Sequence, residues 1–271
     1  DSHAPGWGII YVPDSSTGIV INNCSFVRNT CDYHGAAIYS RSDDLFVNNS
    51  YFKKNHCSHN GGAIYVGYGD NVCVKNSEFV GNYAERGGAI YLGYLSTASG
   101  DILRCTDPVI DNCTFTDNGV FPKPPFERNM TKGGAIFSWA ENTTITNSNF
   151  THNVALMGGA ILFEYGHNFL ENNTFTKNIA EKYGGGAVSS TKQGDTINNC
   201  TFIDNHAQGY GGALSCDYPT VTNSTFIRNH GNHGGAICTI TANVSDCEFY
   251  DKTADDNWVV LAATKLNENN N

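Results

Sequence analysis

Acid–base or metal chemistry in this 271-residue chain would have to be built from its 26 carboxylates and nine histidines, and their spacing argues against it. Asp43-Asp44 and Asp255-Asp256 are adjacent pairs. Neighbouring residues of an extended strand point to opposite faces, so neither pair offers two carboxylates to one groove at the separation that glycoside hydrolysis needs. A lyase-type site would need acidic metal ligands beside a Lys or Arg base, and the acids form no column. His56, His206 and His230 recur at one spacing, but only the last two fall close enough to meet, and they are expected as a surface pair. These residues imply no catalytic residue, no metal site and no cofactor.

The elements that would position any site come from one short phrase repeated nine times, centred on Phe26, Phe52, Phe79, Phe115, Phe150, Phe175, Phe202, Phe226 and Phe249. Most intervals are 23 to 27 residues, a period that marks a solenoid. An aliphatic residue (Ile21, Val47, Val74 and their equivalents) sits five before each Phe, and a small residue sits two before it. If both face inward, the chain must bend between them. The bend falls on Asn23, Asn49, Asn76, Asn112, Asn147, Asn172, Asn199 and Asn223. Asn tolerates left-handed backbone, and its amide can donate and accept along a stack, so these eight are expected as an inward asparagine ladder. A second Asn column, three after the Phe, closes the next bend. Gly-Gly-Ala then admits backbone that a Cβ would obstruct, and Ile38, Ile64, Ile90 and their equivalents begin a third buried strand. Three short strands per turn, each stacked on its counterpart, make a parallel β-helix; at roughly 4.8 Å per coil the rod would be about 45 Å long.

Two further chemistries are placed by this repeat. Of ten Asn-X-Ser/Thr sequons, those at Asn23, Asn112, Asn172, Asn199 and Asn223 coincide with the ladder and are expected to be inward by-products of the repeat. Asn48, Asn129, Asn142, Asn149 and Asn243 fall at outward or loop positions and are the expected N-glycosylation sites. Cys31 and Cys57 occupy one position in adjacent coils, within disulfide reach if the strands stack. Cys216 with Cys238 is the second choice, and Cys105 with Cys113 could staple an insertion; sequence alone does not fix the connectivity.

The whole chain reads as one domain, 1–271, with a partial first coil at 6–12, a last coil at 244–261 and a polar tail at 262–271. Trp7-Gly8-Ile9-Ile10-Tyr11-Val12 aligns with Gly87-Gly88-Ala89-Ile90-Tyr91-Leu92, and Trp258 likewise takes a Gly place near the other end. No capping helix is evident. Such ends could stack, and a heterologous contact of that kind propagates as a fibre; the Trp residues and tails could equally be caps. Trp7, Ile9, Tyr11, Trp258 and Val260 would form the contact. Insertions at 93–107 and 119–132 break the period. The second places Phe121 and Phe126 among three prolines, a stiff loop suited either to a lateral contact or to lying flat on the coils. Tyr39, Tyr65 and Tyr91 line up in three successive coils as an outward ladder, or as a platform for glycan rings.

A net charge of −10 argues against nucleic acid and anionic membrane surfaces as partners, and no apolar run is long enough to span a membrane. Ten Cys with only two Met, together with much Asn, Thr and Gly, look secreted. The paired Gly-Gly-Ala-Ile and Phe-X-X-Asn motifs, running from Trp7 to Val260, resemble the repeats of chlamydial polymorphic outer-membrane proteins and of adhesin-like surface proteins. The resemblance implies an all-β, right-handed parallel β-helix of nine to ten coils, displayed as an adhesive or structural rod. The family's C-terminal membrane barrel has no counterpart in these residues, so its transport mechanism is not carried over. The expectation is a non-enzymatic extracellular structural protein, a glycosylated subunit that stacks on itself into a filament. The alternative is a monomeric adhesin rod that binds cell-surface or wall polysaccharide; a polysaccharide lyase or hydrolase ranks last.

Overall fold

The computed structural model describes residues 2–96, 100, 102–119, 131–251, 253–254 and 261–267, and its regular elements are all strands. The phenylalanine strands, from Ser25–Val27 to Glu248–Tyr250, form one nine-stranded sheet in parallel register, Phe upon Phe. Strand spacing dictates ring spacing: successive centroids lie 4.7–5.0 Å apart with planes within 10°. A second stack runs from Val20–Asn22 through Phe46–Asn48 to Thr220–Thr222, and a third from Ile10–Val12 through Ile38–Ser40 to Leu214–Cys216. The long strand Ile237–Ser245 continues both, and the backbone of Leu261–Asn267 pairs onto it. The aliphatic residues, the Phe column and the Ile after each Gly-Gly-Ala meet in one continuous buried core between the stacks.

A fourth, shorter strand, not expected from the sequence, follows the second Asn in most coils, as at Thr30–Cys31, His56–Cys57, Ile179–Ala180 and His206–Tyr210. The Gly-Gly turn is as tight as its composition suggests. Gly133 has φ 63°, and a Cβ on Gly134 would collide with the Gly159 carbonyl and the Val154 backbone in the next coil.

The two bends of each coil share one design. A residue in left-handed conformation points out, and the residue after it turns in. At the first bend the left-handed residue is the Asn, with φ 49–56° from Asn23 to Asn223, and all eight are exposed. This corrects the inward placement expected of them. The residue that turns in is the small one that follows; Ser50, Ser77, Ser148 and Ser224 each accept a backbone N–H of the preceding coil at 3.1 Å, and the Ser148 N–H in turn donates to Asn173 Oδ1 at 2.9 Å. At the second bend the left-handed residue is variable (Arg28, Lys54, Asp117, His152, Lys177, Asp204, Arg228), and the Asn after it is the one that is buried. Asn29, Asn55, Asn82, Asn118, Asn153, Asn178, Asn205 and Asn229 therefore form the interior ladder. From Asn55 to Asn229, each Oδ1 accepts from the Nδ2 of the preceding Asn at 2.9–3.1 Å and from its backbone N–H. Each Nδ2 also donates to the carbonyl of a Phe in the coil before, as Asn153 does to Phe115 at 2.9 Å.

Candidate assembly interface

The first stacked turn forms one edge of the described coils. His3–Ala4 pairs with Thr30–Cys31, and Ile10–Val12 pairs with Ile38–Ser40. Nothing described stacks over Val20–Asn22 or Ser25–Val27, which bond only to the next coil. The consequence is an apolar edge: Val20 is 63% exposed, Trp7 50%, Tyr11 44% and Ile9 42%. Trp7 leans on Tyr11 and Tyr39 with centroids 5.5 and 5.4 Å away, so the edge is braced by the stack beneath it. Trp258, Val260, Phe121, Phe126 and Asn129 lie outside the described residues.

The outward tyrosines stack, but they are not open to solvent. Tyr11, Tyr39, Tyr65, Tyr91 and Phe137 follow one another at 4.9–5.3 Å. Tyr39, Tyr65 and Tyr91 are buried, because their rings fold down over the strand ends; the Tyr65 and Tyr91 rings fill the space that a Cβ on Gly67 or Gly93 would take. His34 closes the other side, 4.6 Å from Tyr65. Burial raises the phenol pKa of all three. Among the described residues of this stack, exposed ring faces are therefore left to Trp7 and Tyr11.

The first insertion is a hairpin. Tyr94–Ser96 pairs antiparallel with Ile102–Thr106, and Cys105 then rejoins the coil opposite Gly69. The hairpin leans on the next coils through Arg104, which lies over the Tyr165 ring at 4.3 Å, donates to its hydroxyl and pairs with Glu141 at 3.5 Å. Tyr94 meets Trp139 edge to face at 5.2 Å, while Ile102 and Leu103 are exposed.

The remaining handles fall as follows. Cys31 and Cys57 are register partners, as stacking required, and both are free thiols. The hydrogen bond from Cys57 lowers the Cys31 pKa, and burial pushes Cys57 well up. Cys216 and Cys238 do not meet: the register sets Cys238 beside Ser215, so Cys216 faces the core and Cys238 the other side. That corrects the second pairing, which counted residues from the turn without allowing for alternation. Cys105 and Cys113 are free thiols in the core, and burial lifts Cys113 to about 12. Asn142, Asn149 and Asn243 are exposed. Asn48 is half-buried and tied at both ends, donating to Asn22 at 3.1 Å and accepting from Asn76 at 2.7 Å. The acidic pair at Asp43-Asp44 holds a turn. Asp43 accepts from the Asp70 N–H, and hydrogen bonds from Asn71 and Thr17 lower the Asp44 pKa. His206 and His230 stack at 4.9 Å. Among the described residues no cluster of three or more His, Cys, Asp or Glu could hold a metal ion, and no helix is long and apolar enough to cross a membrane.

A family model for right-handed beta-helix regions matches residues 3–175 and 126–270, and the chain belongs to that family. Neither curated proteins nor solved structures yielded a match.

Proposed function

We propose that this chain is a non-enzymatic extracellular structural element that stacks end to end on copies of itself. The observation that carries the reading is the edge of the first described coil, where, among the described residues, two strands bond on one side only beneath an apolar rim of Val20, Ile9, Trp7 and Tyr11. A repeat of this kind is self-complementary. Every coil already accepts another in register, Ile on Ile and Phe on Phe, so the edge that would best cover the first coil is the far end of a second copy. The test is sedimentation of the 271-residue chain over a range of concentrations, beside Val20→Lys and Ile9→Lys. These positions are exposed, so the fold should not change. Larger species that grow with concentration and vanish in the Lys variants support stacking; a monomer at every concentration removes it.

An adhesin reading has its own observation, the lateral cluster of Tyr94, Trp139, Tyr165 and Arg104 beside the hairpin. Aromatic rings next to a guanidinium suit a saccharide. Polysaccharide binding lost in Trp139→Ala and kept in Val20→Lys would favour it.

A further inference from the structure

The two asparagine columns differ in chemistry as well as in burial. None of the eight interior asparagines begins an Asn-X-Ser/Thr sequence, whereas five of the eight exposed bend asparagines do: Asn23, Asn112, Asn172, Asn199 and Asn223. The hydroxyl residue two places on, from Ser25 to Thr225, also lies on the outer side of its strand. We propose that this bend is the glycan-bearing edge of the rod, with N-linked saccharide on these asparagines. The proposal rests on the extracellular reading above, because the donor is a saccharide carried on a lipid pyrophosphate, which a secretory route supplies.

Transfer forms a bond from Nδ2 to the anomeric carbon and breaks that carbon's bond to phosphate oxygen. The lipid pyrophosphate leaves with the electron pair, and one amide proton passes to a base. The nitrogen keeps its other N–H. One N–H is what the folded edge uses: Asn112 donates to Asn76 at 2.8 Å, Asn172 to Asn147 at 3.1 Å, Asn199 to Asn172 at 2.7 Å and Asn223 to Asn198 at 2.9 Å. A modified bend asparagine can therefore hold its place in the surface ladder. An interior asparagine could not, since its Nδ2 donates both ways. Thr also suits an outward strand position for its own sake, which is why occupancy is the deciding quantity.

Protein isolated from its own cells is digested, and its glycans are released enzymatically in heavy-oxygen water, which marks each formerly occupied Asn. The expected result is occupancy at Asn112 and at one or more of Asn172, Asn199 and Asn223, with Asn112→Gln losing the mass of one glycan from the intact protein. A bare edge beside occupied Asn142 or Asn149 overturns the proposal and leaves the extracellular reading standing. Ten bare sequons overturn both.

Discussion

The interior asparagines and the bend asparagines are the same residue at the same period, and they do opposite work. Inside, the amide is part of the coil-to-coil hydrogen bonding: Asn153 accepts from the backbone and side chain of Asn118, and donates to Asn178 and to the Phe115 carbonyl. At the bend, the backbone at φ near 50° is what the residue supplies, and its amide makes only exposed bonds, as Asn172 donates to Asn147 and accepts from Asn199. A buried amide left without partners costs far more than an exposed one, so identical columns should respond very differently to the same change.

The largest effect is expected at the interior. Asn153→Ala removes four buried hydrogen bonds and takes the side-chain acceptor from the buried Asn118 N–H, while Asn178 Oδ1 keeps the Asn153 N–H and Asn118 Nδ2 keeps the Phe79 carbonyl. At about 1 kcal/mol for each bond, a loss of about 3 kcal/mol or more is expected in chemical denaturation. At the bend, Asn172→Ala should cost about 1 kcal/mol, chiefly for left-handed backbone on a residue with a Cβ. Asn172→Gly should stay within about 0.5 kcal/mol of the native chain, because Gly adopts that backbone freely. Equal losses for Asn153→Ala and Asn172→Ala would break the contrast.

How much of this was legible follows from the bends. The period, the buried Phe and Ile columns and the stacking of Cys31 on Cys57 could be read directly, because each depends on spacing alone. The orientation of the first Asn column could not. Asn suits both a buried amide stack and a left-handed turn, and an outward turn residue shifts the inward parity by one onto the small residue that follows. The signal was nonetheless present. The position before six of the eight interior Asn is Arg28, Lys54, Asp117, Lys177, Asp204 or Arg228, charged residues with no place in a core (Gly81 and His152 hold the other two), whereas the bend Asn is followed by Cys or Ser in nearly every coil. Burial of the tyrosines was not legible, since it depends on rings folding over Gly67 and Gly93, each two residues past its Tyr.

His34 extends the comparison to a polar group that is buried without a partner. Its Nδ1 finds none, and burial, with the neighbouring His59 second, holds its pKa at about 4 against an ordinary 6.5. As pH falls below 6.5 the unfolded chain takes up the proton first, so this residue lowers stability progressively down to pH 4 and adds no further loss below that. In His34→Phe, which keeps the stack on Tyr65, the melting temperature should fall less steeply over that window. An unchanged slope would show that His34 titrates as an exposed residue does.

The central claim is that the rod's end is an interface, and electron microscopy of the native chain at several concentrations tests it most directly. The account predicts filaments whose axial repeat matches the length of one rod, absent from Val20→Lys. Discrete single rods at every concentration would contradict it.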